Sequence, residues 1–554
     1  MKHILLIIFV LIICGESFSQ PSWAKKTIKS VFTLKTFSAD GALVGESTGF
    51  FVGEEGQAVS SFAPFKGAAT AVVIDAQGKE MSVDCLLGAN DTYDVAKFKV
   101  DVKKSQPLTV ASEAAAVGGV VWLQPYRDVK KSRQGHVDKA ETFNGGYAYY
   151  TLEMIPDDAF VGAPVLNANG QVIALLQQSA NNSKMSYAVS AVFADSLRMT
   201  GLSLNDPALR STSVKKALPT DVAQAQLMLY LASTTTDSAS YAALVNDFIA
   251  QFPTEQDGYI NRAQLSMAAD HCEEADRDMN EALRVAQRPD EVHMSWSRII
   301  YQKVLYRPEP PYEPWTLERA LLEAQEAYRL NAQPGYQQQQ AYVLFALKRY
   351  DEASAVYSLL FQSTLRSADI FYEASRCREM VGDTLGQLAL LDSAVAQFSR
   401  PYLKQAANYL LARAQVLMSI GRYRLAVTDL NDYESLMKAQ LSDGFFYLRH
   451  QAEVGGKLFQ QALDDIAQAI KLSPKNSLYY AEKASLEVRV GLYDEAIASA
   501  SSCIEVAPEV SDGFLFLGLA QCLKGQKAEG LKNLQKAGEL GDGQASELIE
   551  KYAK

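Results

Sequence analysis

The chain changes its hydrophobic period near residue 205. Before that point, short apolar or β-branched runs alternate with Gly, Asn and Asp turns, as in SVFTLKTF (30–37) and GQVIALLQQ (170–178). A period of two with closely spaced turns predicts an all-β barrel or sandwich. From about residue 218 onward, Ala- and Leu-rich stretches such as QALDDIAQAIKL (461–472) have a helical period. The sequence therefore predicts an all-β half followed by an all-α half.

The helical half is internally repetitive. Three turn positions recur at intervals of 34 residues, as do three small residues and two prolines: Lys457, Gly491 and Gly525; Ala462, Ala496 and Gly530; Pro474 and Pro508. Looser copies place the small-residue position at Ala426, Gln387, Ala353 and Ala275. Small residues let two helices approach closely, and proline ends the second helix before the next unit stacks on it. The interval predicts stacked helix pairs.

These residues resemble the tetratricopeptide repeat (TPR) family, whose small residue in the first helix is matched by Ala484 and Gly518. The resemblance covers residues 219–554 and implies a superhelical solenoid of about eight to ten helix pairs that binds other proteins on its concave side. The Pro-rich stretch YRPEPPYEPW (306–315) interrupts the spacing. We expect an irregular unit or a domain junction there.

The β half resembles the trypsin-like, Deg-type secreted proteases. Its segment 47–65 is similar to the hairpin that ends in the family's histidine, 89–100 to the strand start that carries the aspartate, and 161–176 to the Ser-Gly-Gly-Pro-Val segment. The resemblance implies a double β-barrel. It also implies that the three catalytic positions are Ala63, Asp94 and Val161.

Those three residues lack the chemistry of a hydrolytic triad. Val161 has no nucleophilic atom, Ala63 has no base, and an aspartate alone performs neither task, so we expect Asp94 to cap or orient a loop. We predict an inactive trypsin-like domain. Phe160, Gly162 and Ala163 could still shape a peptide groove, or the domain could serve only as structural support for the solenoid.

Two other classes of function stay open at this stage. A protease with an unorthodox site would need Ser60, Ser61 or Cys85 beside His136, which is the one histidine of residues 20–204. A glycan- or nutrient-binding envelope protein could also be built on helical repeats. The first alternative requires one of these side chains to lie within hydrogen-bond distance of His136, and their positions in the sequence do not establish that contact.

The net charge and the lack of nucleotide-binding motifs limit the classes of partner and cofactor that the sequence favours. The net charge of −11 argues against nucleic acid or an anionic lipid surface. No phosphate loop or dinucleotide fingerprint occurs, and AADHCEEADRD (268–278) indicates a solvated acidic face rather than a metal site. We expect protein or peptide partners and no cofactor or metal. The five scattered cysteines beyond residue 19 form no disulfide framework, although one pair could be bridged: Cys85, Cys272, Cys377, Cys503 and Cys522.

The N-terminal residues predict export. Residues 1–19 combine a basic start with a short apolar run and small residues before Gln20, which is typical of a secretory signal peptide. A lipid anchor at Cys14 is disfavoured because Ile13 precedes it, and no later apolar run is long enough to span a membrane. We expect a protein of the periplasm or outer envelope, organised as signal peptide (1–19), trypsin-like domain (20–204), linker (205–218) and TPR domain (219–554), that acts as a scaffold or adaptor.

Overall fold

The computed structural model describes residues 21–128, 131–155, 157–179 and 184–553. The predicted signal peptide and Cys14 lie outside these residues. Within the described ranges, no helix combines the length and apolarity needed to cross a membrane. The chain divides into two compact units, one of Met1–Ala269 with Glu273–Val285 and the other of Asp270–Cys272 with Ala286–Lys554.

The β half forms two closed, six-stranded antiparallel barrels, so the predicted double barrel is confirmed. The first has the strand order β1-β2-β3-β6-β5-β4 and the second β10-β11-β12-β9-β8-β7. The strands are β1 (Val31–Phe37), β2 (Leu43–Phe51), β3 (Gln57–Ser60), β4 (Thr70–Asp75), β5 (Glu80–Asn90), β6 (Val95–Val100), β7 (Val120–Leu123), β8 (Arg133–Phe143), β9 (Tyr147–Glu153), β10 (Pro164–Leu166), β11 (Val172–Leu176) and β12 (Ser186–Ser190). Three short helices accompany them: α1 (Ala24–Thr27), α2 (Phe193–Ser196) and α3 (Pro207–Arg210).

The segment 205–218, predicted as a linker, packs against the first barrel. Leu86 on β5 donates its N–H to the Lys215 carbonyl at 2.8 Å, and its own carbonyl accepts from the Ala217 N–H at 2.9 Å. Lys215 also forms a 2.9 Å ion pair with Asp247. The segment thus connects the barrels to the helices and adds a short strand-like pairing at β5.

One hydrophobic cluster continues from the first barrel into the first helices. It contains barrel side chains such as Phe32, Phe65 and Phe98, and residues from segment 205–218 and helices α4 (Val222–Thr235) and α5 (Ser238–Gln251): Leu209, Val214, Leu218, Ala225, Met228, Leu229, Ala232, Tyr241, Val245 and Phe248. Burial of this many apolar side chains is the main favourable contribution to folding. The first barrel and the first helix pair therefore share a core.

The remaining helices continue the all-α half. They are α6 (Gln256–Ala268), α7 (Cys272–Val285), α8 (Pro289–Tyr306), α9 (Leu317–Leu330), α10 (Pro334–Ala346), α11 (Tyr350–Leu360), α12 (Ala368–Met380), α13 (Thr384–Val395), α14 (Ala407–Ser419), α15 (Tyr423–Met437), α16 (Asp443–Gly455), α17 (Phe459–Leu472), α18 (Ser477–Val490), α19 (Tyr493–Val506), α20 (Ser511–Leu523), α21 (Lys527–Glu539) and α22 (Ala545–Ala553). In the described chain, α4 to α21 make nine consecutive pairs, within the predicted range.

The repeated positions have the structural roles that the sequence predicts. Lys457, Gly491 and Gly525 have φ values of 60°, 83° and 92°, so each turn between paired helices uses the left-handed region. A Cβ atom at Gly530 on α21 would lie 2.8 Å from the Gly518 carbonyl oxygen on α20. Close helix approach therefore requires glycine at these two positions.

The prolines that interrupt the helical pattern lie between helices. Pro474 and Pro508 follow the ends of α17 and α19. The Pro-rich residues 306–315 connect α8 and α9, which pack as one pair. They form an irregular unit, and the division between the compact units lies elsewhere. The five cysteines of the described chain are buried free thiols, which resolves the open question of a bridged pair.

Buried ion pairs recur between the two helices of a pair. In the second unit, Arg413 on α14 binds Asp429 on α15, and Arg449 on α16 binds Asp465 on α17, and the partners of each pair are 16 positions apart in the sequence. Both guanidinium groups donate two hydrogen bonds to the aspartate partner, at 2.6 to 2.9 Å. Such bidentate contacts fix the geometry of the helix pair.

A second carboxyl group lies beside the Arg449 pair. Glu453 is 3% exposed, one of its oxygens lies 3.9 Å from Arg449 Nε, and the other lacks a hydrogen-bond partner within the described structure. Burial, with the charge of Asp465, raises the pKa of Glu453 to about 8 from an ordinary value of 4.5. The carboxyl is therefore mainly protonated at neutral pH.

We expect Glu453→Gln to increase the stability of the second unit at alkaline pH. The folded chain retains a proton that the unfolded chain releases between pH 4.5 and about 8, so the wild-type free energy of unfolding falls as pH rises through this window and levels off above it. Glutamine should raise that free energy by roughly 1–3 kcal/mol near pH 9 and by much less near pH 5. Urea midpoints at both pH values measure the change, with exposed Glu509→Gln as the control. An equal gain at both pH values would contradict the assignment.

Candidate functional site

Asp94 and Ala63, the residues at the aspartate and histidine positions of the trypsin-like catalytic triad, lie together. The Ala63 N–H donates to Asp94 Oδ1 at 2.6 Å, and the Ser61 hydroxyl donates to the other oxygen of the same carboxylate. Asp94 itself has a φ of 48°, at the turn that leads into β6. Its carboxylate orients the turn around Ala63 where an imidazole would otherwise lie. This is the loop-orienting role expected for Asp94.

The loop that holds Val161 uses its amide groups internally. A trypsin-like site stabilises the developing oxyanion with the N–H of the nucleophile position and the N–H two residues before it. Here the Val161 N–H donates to the Asp158 carbonyl at 3.2 Å, and the Ala159 N–H donates to Asp157 Oδ1 at 3.0 Å. Both donors are occupied within the loop. The site lacks a free oxyanion hole as well as two triad side chains.

Contacts with β2 keep this loop in place. The Thr48 N–H donates to the Val161 carbonyl at 2.8 Å, and the Thr48 hydroxyl donates to the Ala159 carbonyl at 3.2 Å. Gly162 has a φ of +84°, and a Cβ atom there would lie 2.0 Å from the Thr48 carbonyl oxygen. Only glycine fits such a conformation at this distance. The loop is therefore held tightly between the two barrels.

A polar cleft of about 900 Å³ opens beside the loop. Arg133 and Asp157 form a 2.6 Å ion pair on its wall, and the guanidinium also donates to the Ile155 carbonyl at 3.1 Å. The same guanidinium lies 4.9 Å from the centre of the Phe160 ring. Tyr126 lines the cleft and donates to the Asp75 carbonyl at 2.9 Å. The cleft has the size of a ligand site.

The three predicted groove residues contribute unequally to this cleft. Phe160 lines it, although the side chain is only 6% exposed. Ala163 is fully buried in the core of the second barrel, and its N–H donates to the Phe160 carbonyl. The Gly162 N–H donates to the Leu176 carbonyl. Gly162 and Ala163 therefore support the cleft from beneath.

The two serines considered as alternative nucleophiles make hydrogen bonds with groups other than histidine. Ser60 is buried, and its hydroxyl donates to the Thr48 carbonyl at 2.7 Å while lying 2.8 Å from the Ser47 hydroxyl. Ser61 donates to Asp94. His136 is exposed on β8 in the second barrel. The geometry gives neither serine an imidazole partner.

The thiol of Cys85 is also unsuited to nucleophilic attack. Its residue is buried on β5, and burial with the adjacent Asp84 charge raises the pKa of the thiol to about 12. A reactive cysteine needs a lowered pKa and access to solvent, because the thiolate is the nucleophile. Cys85 has neither property.

Three residues of the site were not identified from the sequence. Thr48, Arg133 and Asp157 fix the loop and one wall of the cleft, but none belongs to the resembled catalytic positions. The stretch DDAF (157–160) does contain a usable signal, since an aspartate two residues before an amide commonly accepts its N–H. Nothing local indicates the contact from Thr48, which depends on the packing of two barrels.

The match to one protein family agrees with the barrel architecture. A family model described as a trypsin-like peptidase domain matches residues 47–175. Similar solved structures include the active form of the Rv3671c protease from M. tuberculosis, with 18% identity over 32% of this chain and 82% of that chain and a TM-score of 0.28. The serine endoprotease from Yersinia pestis is 16% identical over 31% of this chain and 62% of that chain, also with a TM-score of 0.28.

The chain has other relatives, one of which is named for tetratricopeptide repeats. Small glutamine-rich tetratricopeptide repeat-containing protein 2 from Saccharomyces cerevisiae is 29% identical over 98 residues, 18% of this chain and 28% of that protein. The SGT1 homolog from Oryza sativa subsp. japonica is 31% identical over 100 residues, 18% of this chain and 23% of that protein. The chain thus spans about a quarter of the length of these curated relatives. It joins a trypsin-like peptidase domain to TPR-like helical repeats.

Proposed function

We propose that this protein is a non-catalytic adaptor of the cell envelope. In this proposal, the helical repeats bind other proteins or peptides, and the trypsin-like domain anchors the first repeats and offers a cleft for an extended peptide. Export by the predicted signal peptide, to the periplasm or outer envelope, is part of the proposal. A broad protein-binding role agrees with the similarity to a tetratricopeptide repeat-containing protein.

The occupied oxyanion-hole amides carry the non-catalytic part of the proposal. A single substitution could restore a serine, but the Ala159 and Val161 amides would still donate to Asp157 and Asp158. Loss of one such donor alone costs an enzyme about 10²–10³ in rate. The missing side chains and the occupied amides therefore both argue against hydrolysis, on independent grounds.

We expect the mature protein to resist labelling by an active-site fluorophosphonate and to leave unfolded casein intact. The double variant Ala63→His with Val161→Ser should also remain inactive, because it restores two triad side chains and leaves the loop amides occupied. A trypsin digest of the same casein is the positive control. Labelling of the natural chain that disappears in Ser60→Ala, Ser61→Ala or His136→Ala would support the unorthodox protease instead.

The adaptor part needs a separate test of binding. A photo-reactive residue can replace exposed Leu322, Leu385 or Leu425 on the helices, with Val117 of the second barrel as an exposed control. Crosslinking in cells followed by mass spectrometry should identify discrete protein partners from helical positions. Partners captured only through Val117 would show that the barrels bind them instead of the helices. The absence of any discrete partner would contradict the adaptor proposal.

A further inference from the structure

A polar pocket of about 610 Å³ lies among α4, α5 and α6 in the first compact unit. Two helices contribute side chains spaced three or four residues apart, which places them on one helical face. The side chains at these spacings are Gln226, Tyr230 and Ser233 on α4, and Asp257, Asn261 and Gln264 on α6. Thr236, Ser238 and Tyr241 line the pocket near the start of α5, and Leu229 and Leu265 add apolar side chains.

The floor of the pocket is organised by hydrogen bonds. Tyr241 Oη donates to Asn261 Oδ1 at 2.8 Å, and Gln226 Nε2 donates to Asp257 Oδ2 at 2.6 Å. Asn261 Nδ2 donates to the Asp257 backbone carbonyl at 2.7 Å. Burial raises the pKa of Tyr241 to about 12, so its hydroxyl remains neutral. These contacts hold the amide and carboxylate groups in fixed orientations.

The lining excludes several classes of ligand. Among the described residues, the pocket has no lysine, arginine or histidine, so an anionic ligand would find no opposite charge. Asp257 is its one carboxylate and already accepts a hydrogen bond from Gln226. An apolar ligand would remove several hydroxyl and amide groups from water without replacing their hydrogen bonds, which is costly. A neutral ligand rich in hydrogen-bonding groups fits best.

The rim adds an aromatic surface. The Tyr230 side chain is 71% exposed at the edge of the pocket, whereas Leu229 below it is only 2% exposed. A pyranose ring presents an apolar C–H face that can lie on an aromatic ring, and hydroxyl groups at its edge that can pair with amides and hydroxyls. A peptide would need apolar subsites for its side chains, and the aliphatic lining is limited to Leu229, which is 2% exposed, and the partly buried Leu265.

We propose that this pocket binds a neutral oligosaccharide, with one sugar ring on Tyr230 and its hydroxyl groups paired with the polar lining. The pocket volume lies within the range of small-molecule sites. This inference goes beyond the proposed adaptor function and depends on a different part of the chain from the trypsin-like cleft.

Saturation-transfer NMR and calorimetry on the full mature chain test the proposal, with maltotriose, laminaritriose and triacetylchitotriose as probes at millimolar concentration. At least one trisaccharide should bind. Tyr230→Ala should raise its Kd about tenfold or more, which equals roughly 1.4 kcal/mol. Tyr230→Phe retains the ring and should bind with nearly unchanged affinity, whereas Gln264→Ala should weaken binding.

Tyr306→Ala is the matched control, because Tyr306 is 72% exposed on α8 and lines no part of this pocket. Failure of all three trisaccharides to bind would overturn the proposal, as would binding that Tyr230→Ala leaves unchanged. An uncharged Ser- and Asn-rich peptide is the further probe. If that peptide binds through Tyr230 while no sugar does, the pocket is a peptide site and the oligosaccharide assignment is wrong.

Discussion

A chain that ends after Leu204 is expected to lose the folded state of its first barrel, whereas a chain that ends after Val285 is expected to retain it. The shorter chain removes segment 205–218 and α4 and α5, and with them the buried side chains of Leu209, Met228 and Phe248 that complete the shared core. Each large apolar side chain contributes about 1.5–3 kcal/mol when buried. The combined loss is on the order of 10 kcal/mol, comparable to the whole stability of a typical domain.

Circular dichroism and thermal melting of the two truncated chains measure this difference. Phe248→Ala in the full chain is the matched point variant, expected to destabilise the first unit by about 3–5 kcal/mol, because the side chain is fully buried. Exposed Leu202→Ala controls for a change outside the core and should have little effect. Equal melting temperatures for the chains that end at 204 and 285 would show that the barrel core is complete without the helices.

The shared core also changes how the trypsin-like domain is understood. Arrays of stacked repeats need a terminal unit that covers the otherwise exposed apolar face of the first repeat. In this chain, the first barrel covers Met228 and Phe248 of α4 and α5 within one hydrophobic cluster. The trypsin-like domain therefore has a structural role that does not depend on catalysis, and the adaptor proposal does not depend on peptide binding in the cleft.

The period of the sequence was sufficient to predict both fold classes. The alternation of apolar and polar residues predicts the β half. The 34-residue spacing predicts turns at Gly491 and Gly525, and both glycines have left-handed φ values. The packed state of residues 205–218 was not predictable, because Pro and polar residues are common in flexible linkers and its partner, Leu86 on β5, is distant in sequence. The strand β8 also shows little alternation, since DKAET (138–142) has few apolar residues.

Part of the candidate site was also predictable from the sequence. Resemblance placed Ala63 and Asp94 at neighbouring catalytic positions, and the 2.6 Å contact between them agrees with that placement. The occupied amides of Ala159 and Val161 could not be predicted from residue type, because an amide hydrogen bond depends on the local backbone path. The most informative evidence against catalysis therefore comes from backbone groups, which a comparison of side chains does not consider.

Arg449→Met is expected to destabilise the second unit by about 3–5 kcal/mol at neutral pH, because it leaves a buried carboxylate without its cation. Asp465 is 5% exposed and pairs with Arg449 at 2.6 Å, whereas the neighbouring Glu453 is mainly protonated at neutral pH and carries little charge to neutralise. Methionine retains much of the arginine stem, so the loss reflects charge more than packing. Acid should reduce the destabilisation, since protonated carboxyls need no cation.

Arg413→Met provides a matched comparison within the same unit. Its partner Asp429 is equally placed, but the Arg413 side chain is 18% exposed against 8% for Arg449, and its second partner Asp392 is 57% exposed, so solvent better compensates the carboxylates that lose their cation. Urea unfolding should show a smaller loss and a weaker pH dependence for Arg413→Met. The double variant Arg449→Met with Asp465→Leu should recover most of the stability, because an apolar pair can replace a buried ion pair at little cost. If the double variant is less stable than Arg449→Met alone, the cost comes from packing and the electrostatic explanation is wrong.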